Sequence, residues 1–510
     1  MSDRPFSYRS VLIADGIRAS AQRVPTKVAL SLGEDRLTYA QLVERINRVA
    51  NLARDGLGLS SGDRTALMAP NCLEFVEIVC GLATAGMPAA MINPRLTPGE
   101  VAYIANDSGA RVLFVHESLA GVVEEAEFET VERVVVIGGD YEDLLAQARP
   151  QAPVAQLDEW DPFCISYTSG TTGNPKGAVL SHRSRALLFF AMAVEYGCYS
   201  PEDRAIAIAP LYHGGGFAFA MAPIAFGGSC EILPKFDPEH VLRLIPELGI
   251  TNTFMVPTHF NALFALDESV REGADLASLR TIISNAAPLP QVTKERIVDW
   301  LGDGILHETY GSTEGGIVTN LRPPDQLRKE QCVGLPFPCT EVRLLDGDGA
   351  EVEQGEIGEL HSRSPYLFNG YWELPDATTD AFHEGWLSVG DMARTDEEGY
   401  IYIVDRKKDM IISGGVNVYP REVEEVLHEH PAVAEAAVVG VPDEYWGEAV
   451  RAVVALRTDS TATSEEIVEF CRSRLASFKL PKTLEFVDAL PRNAAGKVLR
   501  RELRDESQDD

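Results

Sequence analysis

Over the first two thirds of this 510-residue chain, short apolar runs alternate with amphipathic helical stretches, and that alternation constrains the fold more than any other feature. Gln41 to Leu52 puts Leu42, Val43, Ile46, Val49 and Leu52 on roughly one helical face, and Glu74 to Leu82 reads as a second helix. Thr65 to Pro70 reads as a strand stopped by proline, and Val112–Val115 and Val134–Ile137 read as buried strands. Repeated strand–helix alternation predicts an α/β fold with parallel sheets. After about residue 333 the pattern changes to strands joined by tight turns such as Asp346-Gly347-Asp348-Gly349, which predicts a small β-rich subdomain. The strand Tyr400–Val404 leads into the charged run Asp405-Arg406-Lys407-Lys408-Asp409, and from there a small α+β unit of about 100 residues is expected. A chain this long exceeds one ordinary core, so residues 1–406 and 407–510 are read as separate domains.

The formal net charge of −32 repels polyanions, so nucleic acid and anionic membrane surfaces are not expected partners. None of the eight cysteines pairs as Cys-x-x-Cys, which points to reduced packing residues and a cytoplasmic protein without a thiolate metal site. The first residues lack the apolar run of a signal peptide. Ala205 to Cys230 contains no Lys, Arg, Asp or Glu, but Pro210, Gly214-Gly215-Gly216, Pro223 and Gly227-Gly228 interrupt it. A buried strand, a Gly-rich turn and a short helix are expected there, not a transmembrane segment.

The most informative segment is Tyr167-Thr168-Ser169-Gly170-Thr171-Thr172-Gly173-Asn174-Pro175-Lys176-Gly177, which lies between two apolar runs. Glycines let backbone N–H groups turn toward a ligand, hydroxyls add donors and lysine adds a point charge, so the segment suits a polyphosphate. It lacks the Gly-Lys-Ser/Thr ending of a Walker A loop.

This segment resembles the phosphate loop of the adenylate-forming superfamily, which includes acyl-CoA synthetases, adenylation domains of peptide synthetases and beetle luciferases. The resemblance extends from about residue 10 to about residue 503, with further motifs in the family's order. It implies two αβ-layered subdomains and a small β-barrel-like subdomain, followed by a small mobile α+β C-terminal domain. Thr168, Ser169, Gly170, Thr171, Thr172, Gly173 and Lys176 would hold the ATP phosphates. Asn285-Ala286-Ala287-Pro288-Leu289 is similar to the adenine-side segment, with Ala287 and Pro288 on the nucleotide and Asn285 where relatives often carry glycine. Thr309-Tyr310-Gly311-Ser312-Thr313-Glu314 is similar to the next motif. There Tyr310 would stack on adenine, Thr309 would line the nucleotide, Thr313 would contact the α-phosphate and Glu314 would hold Mg²⁺. Gly385 to Asp391 looks like the ribose motif, with Asp391 accepting from adjacent hydroxyls and Arg406 adding a donor. Lys408 falls at the hinge position. Pro491 to Lys497 resembles the final motif, whose lysine, Lys497, would bridge the α-phosphate and the incoming carboxylate.

The resemblance further implies CoA as acceptor. Ser413-Gly414-Gly415 would form the pantetheine passage, and Arg95, Trp446, Phe478 and Lys482 would meet the CoA nucleotide. Relatives often carry Glu-Asn after Gly415, whereas this chain has Val416-Asn417, so no role passes to a glutamate there. His213, Gly214, Phe217, Asn285 and Ala286 would form the acyl pocket, with His213 as gate and the three glycines widening the tunnel. The implied activity is ATP-dependent ligation of a carboxylic acid to CoA through an acyl-adenylate, with Lys497, Glu314, Thr168 and His213 as catalytic residues. A medium- or long-chain fatty acid is the first expectation. Aryl, cinnamate-like or alicyclic acids, or a carrier protein as acceptor, are the alternatives, and a homodimer is one option for assembly.

Overall fold

The computed structural model describes residues 8–153, 155–168, 174–413, 416–443, 445–457, 460–492 and 498–505. Ser169, Gly170, Thr171, Thr172, Gly173, Gly414, Gly415 and Lys497 lie outside the described residues.

Two large sheets carry the N-terminal region. One has nine strands in the order Leu335–Pro336, Gly316–Leu321, Leu306–Ser312, Thr281–Ser284, Asn252–Met255, Arg204–Ala207, Ser229–Ile232, Val28–Leu32 and Asp35–Thr38. Its six strands from Leu306–Ser312 to Val28–Leu32 run parallel, with antiparallel additions at both edges. The other has seven strands in the order Gly370–Tyr371, Lys176–Ser181, Pro162–Thr168, Ala89–Ile92, Arg64–Met68, Ala110–His116 and Arg133–Ile137. Here the five strands from Pro162–Thr168 onward are parallel, Lys176–Ser181 is antiparallel to them, and Gly370–Tyr371 is antiparallel to Lys176–Ser181. The strand–helix alternation in the sequence therefore does become parallel sheet, as crossover connections through helices require.

The local signals act as their chemistry predicts. The helix Tyr39–Asn51 starts at Thr38, whose side chain accepts from the Gln41 N–H while Gln41 returns the bond to the Thr38 N–H. Its buried face, Leu42, Ile46 and Val49, packs with Phe75, Phe114, Phe163, Phe217 and Ile283 in a core that draws on both large sheets. Residues 205–230 divide into three elements: the end of strand Arg204–Ala207, helix Gly214–Ala225 and the start of strand Ser229–Ile232. Among the described residues, no helix is long and apolar enough to cross a membrane. The glycine triplet is the first turn of that helix and not a separate turn as the sequence suggested, because His213 caps it by accepting from the Gly215 N–H.

A curled five-stranded sheet follows, in which Glu341–Leu345, Gly358–Arg363, Trp386–Thr395 and Phe382–His383 pair in that order and Ile401–Arg406 adds to Trp386–Thr395. The last unit has its own sheet and its own core of Ile411, Val418, Val423, Leu427, Val438, Val450, Val454 and Ile467. Asp405 ties this unit to the preceding strand: it accepts the Arg421 N–H at 2.9 Å and Arg500 at 3.3 Å.

Two histidines are buried in neutral form. His182 accepts the Ile13 N–H at 3.2 Å, His307 faces Asn320 at 3.1 Å, and burial pushes both down to about 4. An unfolded histidine titrates near 6.5, so the unfolded chain gains protons between pH 6.5 and 4 while the folded chain does not. The stability held above pH 6.5 is therefore expected to fall progressively toward pH 4. Urea-unfolding midpoints measured across this window should show the fall, and His307→Gln should flatten it; a midpoint that rises on acidification would contradict the assignment.

Candidate active site

Several of the candidate residues lie at the carboxyl ends of parallel strands, where an open α/β sheet normally binds its ligand. Strand Pro162–Thr168 ends at Thr168, strand Thr281–Ser284 runs into Asn285, and Leu306–Ser312 runs into Thr313 and Glu314. Thr168 and Lys176, which flank the hydroxyl-rich residues, pair in register on adjacent antiparallel strands.

Glu314 is the junction of the two large sheets. It is buried, and its Oε1 accepts from Thr168 Oγ1 at 3.3 Å and from the Tyr371 hydroxyl at 3.0 Å. Its carbonyl accepts the Phe368 N–H at 2.8 Å. The same Tyr371 ring lies 5.2 Å from Lys176 Nζ, so one aromatic side chain touches both the carboxylate and the phosphate-loop cation. Behind the turn, the buried Arg185 donates to the carbonyls of Thr313 at 2.5 Å and Tyr366 at 2.8 Å. Desolvation lowers the Arg185 guanidinium to about 10, opposed by charges that include Glu314. Sequence reasoning missed Arg185, Tyr366 and Tyr371. Tyr371 had a faint signal in Gly370-Tyr371-Trp372, and Arg185 sits in an ordinary helical pattern.

Both described hydrogen bonds to the Glu314 carboxylate fall on Oε1, which suits Oε2 to a hard cation. Among the described residues there is no cluster of three or more His, Cys, Asp or Glu that could hold a metal by themselves. Mg²⁺ at Glu314 would therefore take its remaining ligands from phosphate and water.

On the nucleotide side, Tyr310 donates its hydroxyl to Asp391 at 2.5 Å, and Arg406 lies 3.3 Å from the other Asp391 oxygen. Asp391 and Arg406 are register partners on adjacent strands, which fixes the guanidinium beside the carboxylate. Desolvation, reinforced by the Asp391 charge, pushes the Tyr310 hydroxyl well above its ordinary range and keeps it a donor. The sequence placed these three on a common ligand but did not foresee that Tyr310 and Asp391 bond each other. Thr309 joins them from beneath, bonded to Asn285 Nδ2 at 2.8 Å. Ala286 holds a φ of 76°, a conformation that costs a non-glycine residue energy and bends the chain just before Ala287 and Pro288.

The acyl side differs from expectation in one respect. A Cβ on Gly216 would lie 2.0 Å from the Pro210 carbonyl oxygen, so this glycine permits close packing and does not widen a tunnel. Gly214 and Gly215 are less tightly hemmed: a Cβ there would stand at ordinary contact distance, 3.8 Å from Thr313 Oγ1 for Gly214 and 3.6 Å from His213 Nδ1 for Gly215. Phe217 packs its ring against Phe163 and Phe75 in the core. Burial raises the Tyr212 hydroxyl to about 12, and the charge of Arg95 opposes the shift.

The remaining expected residues lie on the C-terminal unit. Lys482 Nζ stands 4.9 Å from the Trp446 ring, whereas Phe478 packs on that unit's core beside Lys479. Ser413 is buried and pairs with Val416 and Gly447. Lys408 is exposed in the turn after Arg406. Lys497 itself is not described, but Arg492 and Val498 on either side of it form an antiparallel bridge. Just beyond, Arg500 is held by Glu424 at 2.7 Å and 2.8 Å, and Arg504 reaches Asp409 at 3.1 Å.

Residues 17–372 match the model of the AMP-binding enzyme family, and residues 422–497 match that of the AMP-binding enzyme C-terminal domain. The chain belongs to the AMP-binding, adenylate-forming enzymes. It is 37% identical over 502 residues to a fatty acid–[acyl-carrier-protein] ligase, ScoC, of Streptomyces coeruleorubidus, covering 95% of this chain and 94% of that one. It is 36% identical over 519 residues to a long-chain-fatty-acid–CoA ligase of Yersinia pestis, covering 94% and 91%. Among solved structures, the anthranilate CoA ligase AuaEII in complex with anthranoyl-AMP superposes with a TM-score of 0.90 at 30% identity, covering 99% of this chain and 98% of that one.

Tyr371→Phe removes the hydroxyl that orients Glu314 but keeps the ring beside Lys176. A hydrogen bond to a charged group contributes about 1.5–3 kcal/mol, so ATP-dependent pyrophosphate release is expected to drop roughly tenfold to a hundredfold. An unchanged rate would mean that Glu314 is oriented without Tyr371.

Proposed function

We propose that this enzyme is an AMP-forming acid–CoA ligase: it condenses a carboxylate with ATP to an acyl-adenylate and pyrophosphate, then transfers the acyl group to CoA and releases AMP. The observation that carries the reading is the meeting of Thr168, Glu314, Tyr371 and Lys176 at one end of both sheets, next to Tyr310, Asp391 and Arg406.

In the first step the acid carboxylate attacks the α-phosphorus of ATP, and the P–O bond to pyrophosphate breaks. Lys176, the hydroxyl loop and Thr313 hold the phosphates, Asp391 and Arg406 hold the ribose, and Tyr310 provides a face for adenine. Mg²⁺ held at Glu314 would neutralise charge on the phosphate oxygens. Lys497 stabilises the charge that gathers between carboxylate and phosphate, so the step depends on positioning and electrostatics. In the second step the CoA thiolate attacks the acyl carbonyl and expels AMP, with Gly414 and Gly415 lining its approach. Trp446 and Lys482, already adjacent, suit the CoA nucleotide.

We place the domain boundary at 406/407, with Lys408 as the pivot that exchanges Lys497 for the Gly414–Gly415 segment. The separate apolar core that begins at Ile411 supports this division. Eight unpaired cysteines, seven of them buried, support a cytoplasmic location. Phe190 and Val194, 56% and 78% exposed on one side of the helix His182–Tyr196, support assembly as a homodimer.

An apolar acid suits the surroundings of Gly214 and Gly215, and the fatty-acid relatives favour a fatty acid. A compact ring acid is the second reading, favoured by the aromatic side chains beyond Gly215 and by the anthranilate CoA ligase likeness.

Lys497→Ala is expected to slow acyl-adenylate formation by about 10²–10³-fold while thioester formation from supplied acyl-adenylate survives. Lys408→Pro should do the reverse. Measuring pyrophosphate release and acyl-CoA formation separately, with CoA or a carrier protein as acceptor, tests both the division of labour and the acceptor; equal loss of the two half-reactions in Lys497→Ala would sink the scheme.

A further inference from the structure

The helix Pro98–Asp107 is bonded to the chain on both sides of the hydroxyl-rich residues. Its last residue, Asp107, accepts the Tyr167 hydroxyl at 2.6 Å, one position before Thr168. One turn earlier, Tyr103 donates its hydroxyl to the Pro175 carbonyl at 3.3 Å, one position before Lys176. Residues four apart share a helix face, so a single face of this helix meets the chain where it enters the hydroxyl-rich residues and where it leaves them.

A third tie comes from the far edge of the same sheet. The Asp107 carbonyl accepts from the Trp372 indole N–H at 3.1 Å, and the Trp372 backbone N–H donates to the Gly177 carbonyl at 2.7 Å. Trp372 follows Tyr371, whose hydroxyl reaches Glu314 and whose ring lies beside Lys176. A Cβ on Gly177 would stand 3.1 Å from Tyr167 Cζ and 3.3 Å from Trp372 Cβ, so the Tyr167 ring and Trp372 close over that glycine. Burial, reinforced by the bond to Asp107, pushes the Tyr167 hydroxyl above its ordinary range and keeps it a donor. Asp107 is exposed. A carboxylate in the last turn opposes the helix dipole, so helix stability does not account for its presence there.

We propose that Asp107 and Tyr103 are positioning residues for ATP: they fix the backbone on either side of the hydroxyl-rich residues and so set where Lys176 stands. The proposal rests on the acid–CoA ligase reading, in which Lys176 holds the phosphates. Both residues act through Tyr167, Pro175 and Trp372, and neither is assigned a contact with the nucleotide. A lysine held in place beforehand loses less freedom when the phosphates arrive. The brace therefore strengthens the binding of ATP and leaves AMP, which carries only the innermost phosphate, nearly unaffected.

Calorimetric titration of the full chain with Mg²⁺-ATP and, separately, with AMP tests this whatever the acid is. Tyr167→Phe keeps the ring over Gly177 and removes only the hydroxyl. This variant and Asp107→Ala are each expected to weaken ATP binding about fivefold to twentyfold, and AMP binding less than about twofold. Asp107→Asn keeps a side-chain oxygen for Tyr167 and should recover most of the loss. The double variant of Tyr167→Phe with Asp107→Ala should bind ATP about as well as the weaker single variant, because both changes remove one interaction. Tyr103→Phe should weaken ATP binding in the same sense, and it carries the test if Asp107→Ala does not fold. Unchanged ATP affinity in all of these variants would overturn the proposal, and so would equal losses for ATP and AMP, the result of a merely structural role. A wild type that binds neither nucleotide overturns the ligase reading and the proposal with it, an outcome distinct from a wild type that binds ATP no more tightly than its variants.

Discussion

The carboxylate of Glu314 is the point on which the rest of the site depends. It lies in the turn after the strand Leu306–Ser312 of the nine-stranded sheet, yet its two described side-chain donors, Thr168 and Tyr371, come from the seven-stranded one. A buried charge must be satisfied by hydrogen bonds or by ions. The arrangement that satisfies this one also fixes the two sheets relative to each other and brings the phosphate-loop lysine to the same ring. Arg185 completes it from below by holding the Thr313 and Tyr366 carbonyls, so the turn that presents Glu314 is braced on both sides.

A second device connects the strand that carries Asp391 to the C-terminal unit. Asp391 and Arg406 pair across two strands, and the next residues carry Asp405 and Asp409, which hold Arg421, Arg500 and Arg504 of the C-terminal unit. One charged run thus serves both the pairing with Asp391 and the attachment of the C-terminal unit. In that setting the high charge density of residues 405–409 has a structural use: multiple ionic contacts attach the C-terminal unit.

Much of the site was legible in the sequence because it is built from short local motifs. Thr168, Lys176, Thr313 and Glu314 lie at or just beyond ends of strands and Asp391 lies within one, all in stretches where residue type and spacing survive in the linear chain. The misreading of Gly214–Gly216 shows the limit. Three glycines in a row suggest empty volume, but whether a missing Cβ leaves space or permits contact depends on what faces it, and the Pro210 carbonyl faces Gly216. Phe217 shows the same limit, since helical rotation turns it to the core while Phe254, forty residues away in a plain apolar strand, faces the glycines.

The sequence by itself determined the class of fold, the family and the order of the motifs, because periodicity and local residue chemistry are properties of neighbours along the chain. Only the tertiary structure decided that Tyr371 joins Glu314 to Lys176, that Arg185 braces the turn, and that Phe254, stacked on Phe219, stands beside Gly215. Those contacts pair residues far apart in sequence, through side chains whose types are ordinary in isolation. Their significance comes from close packing, which assigns each side chain its neighbour only once the whole chain has folded.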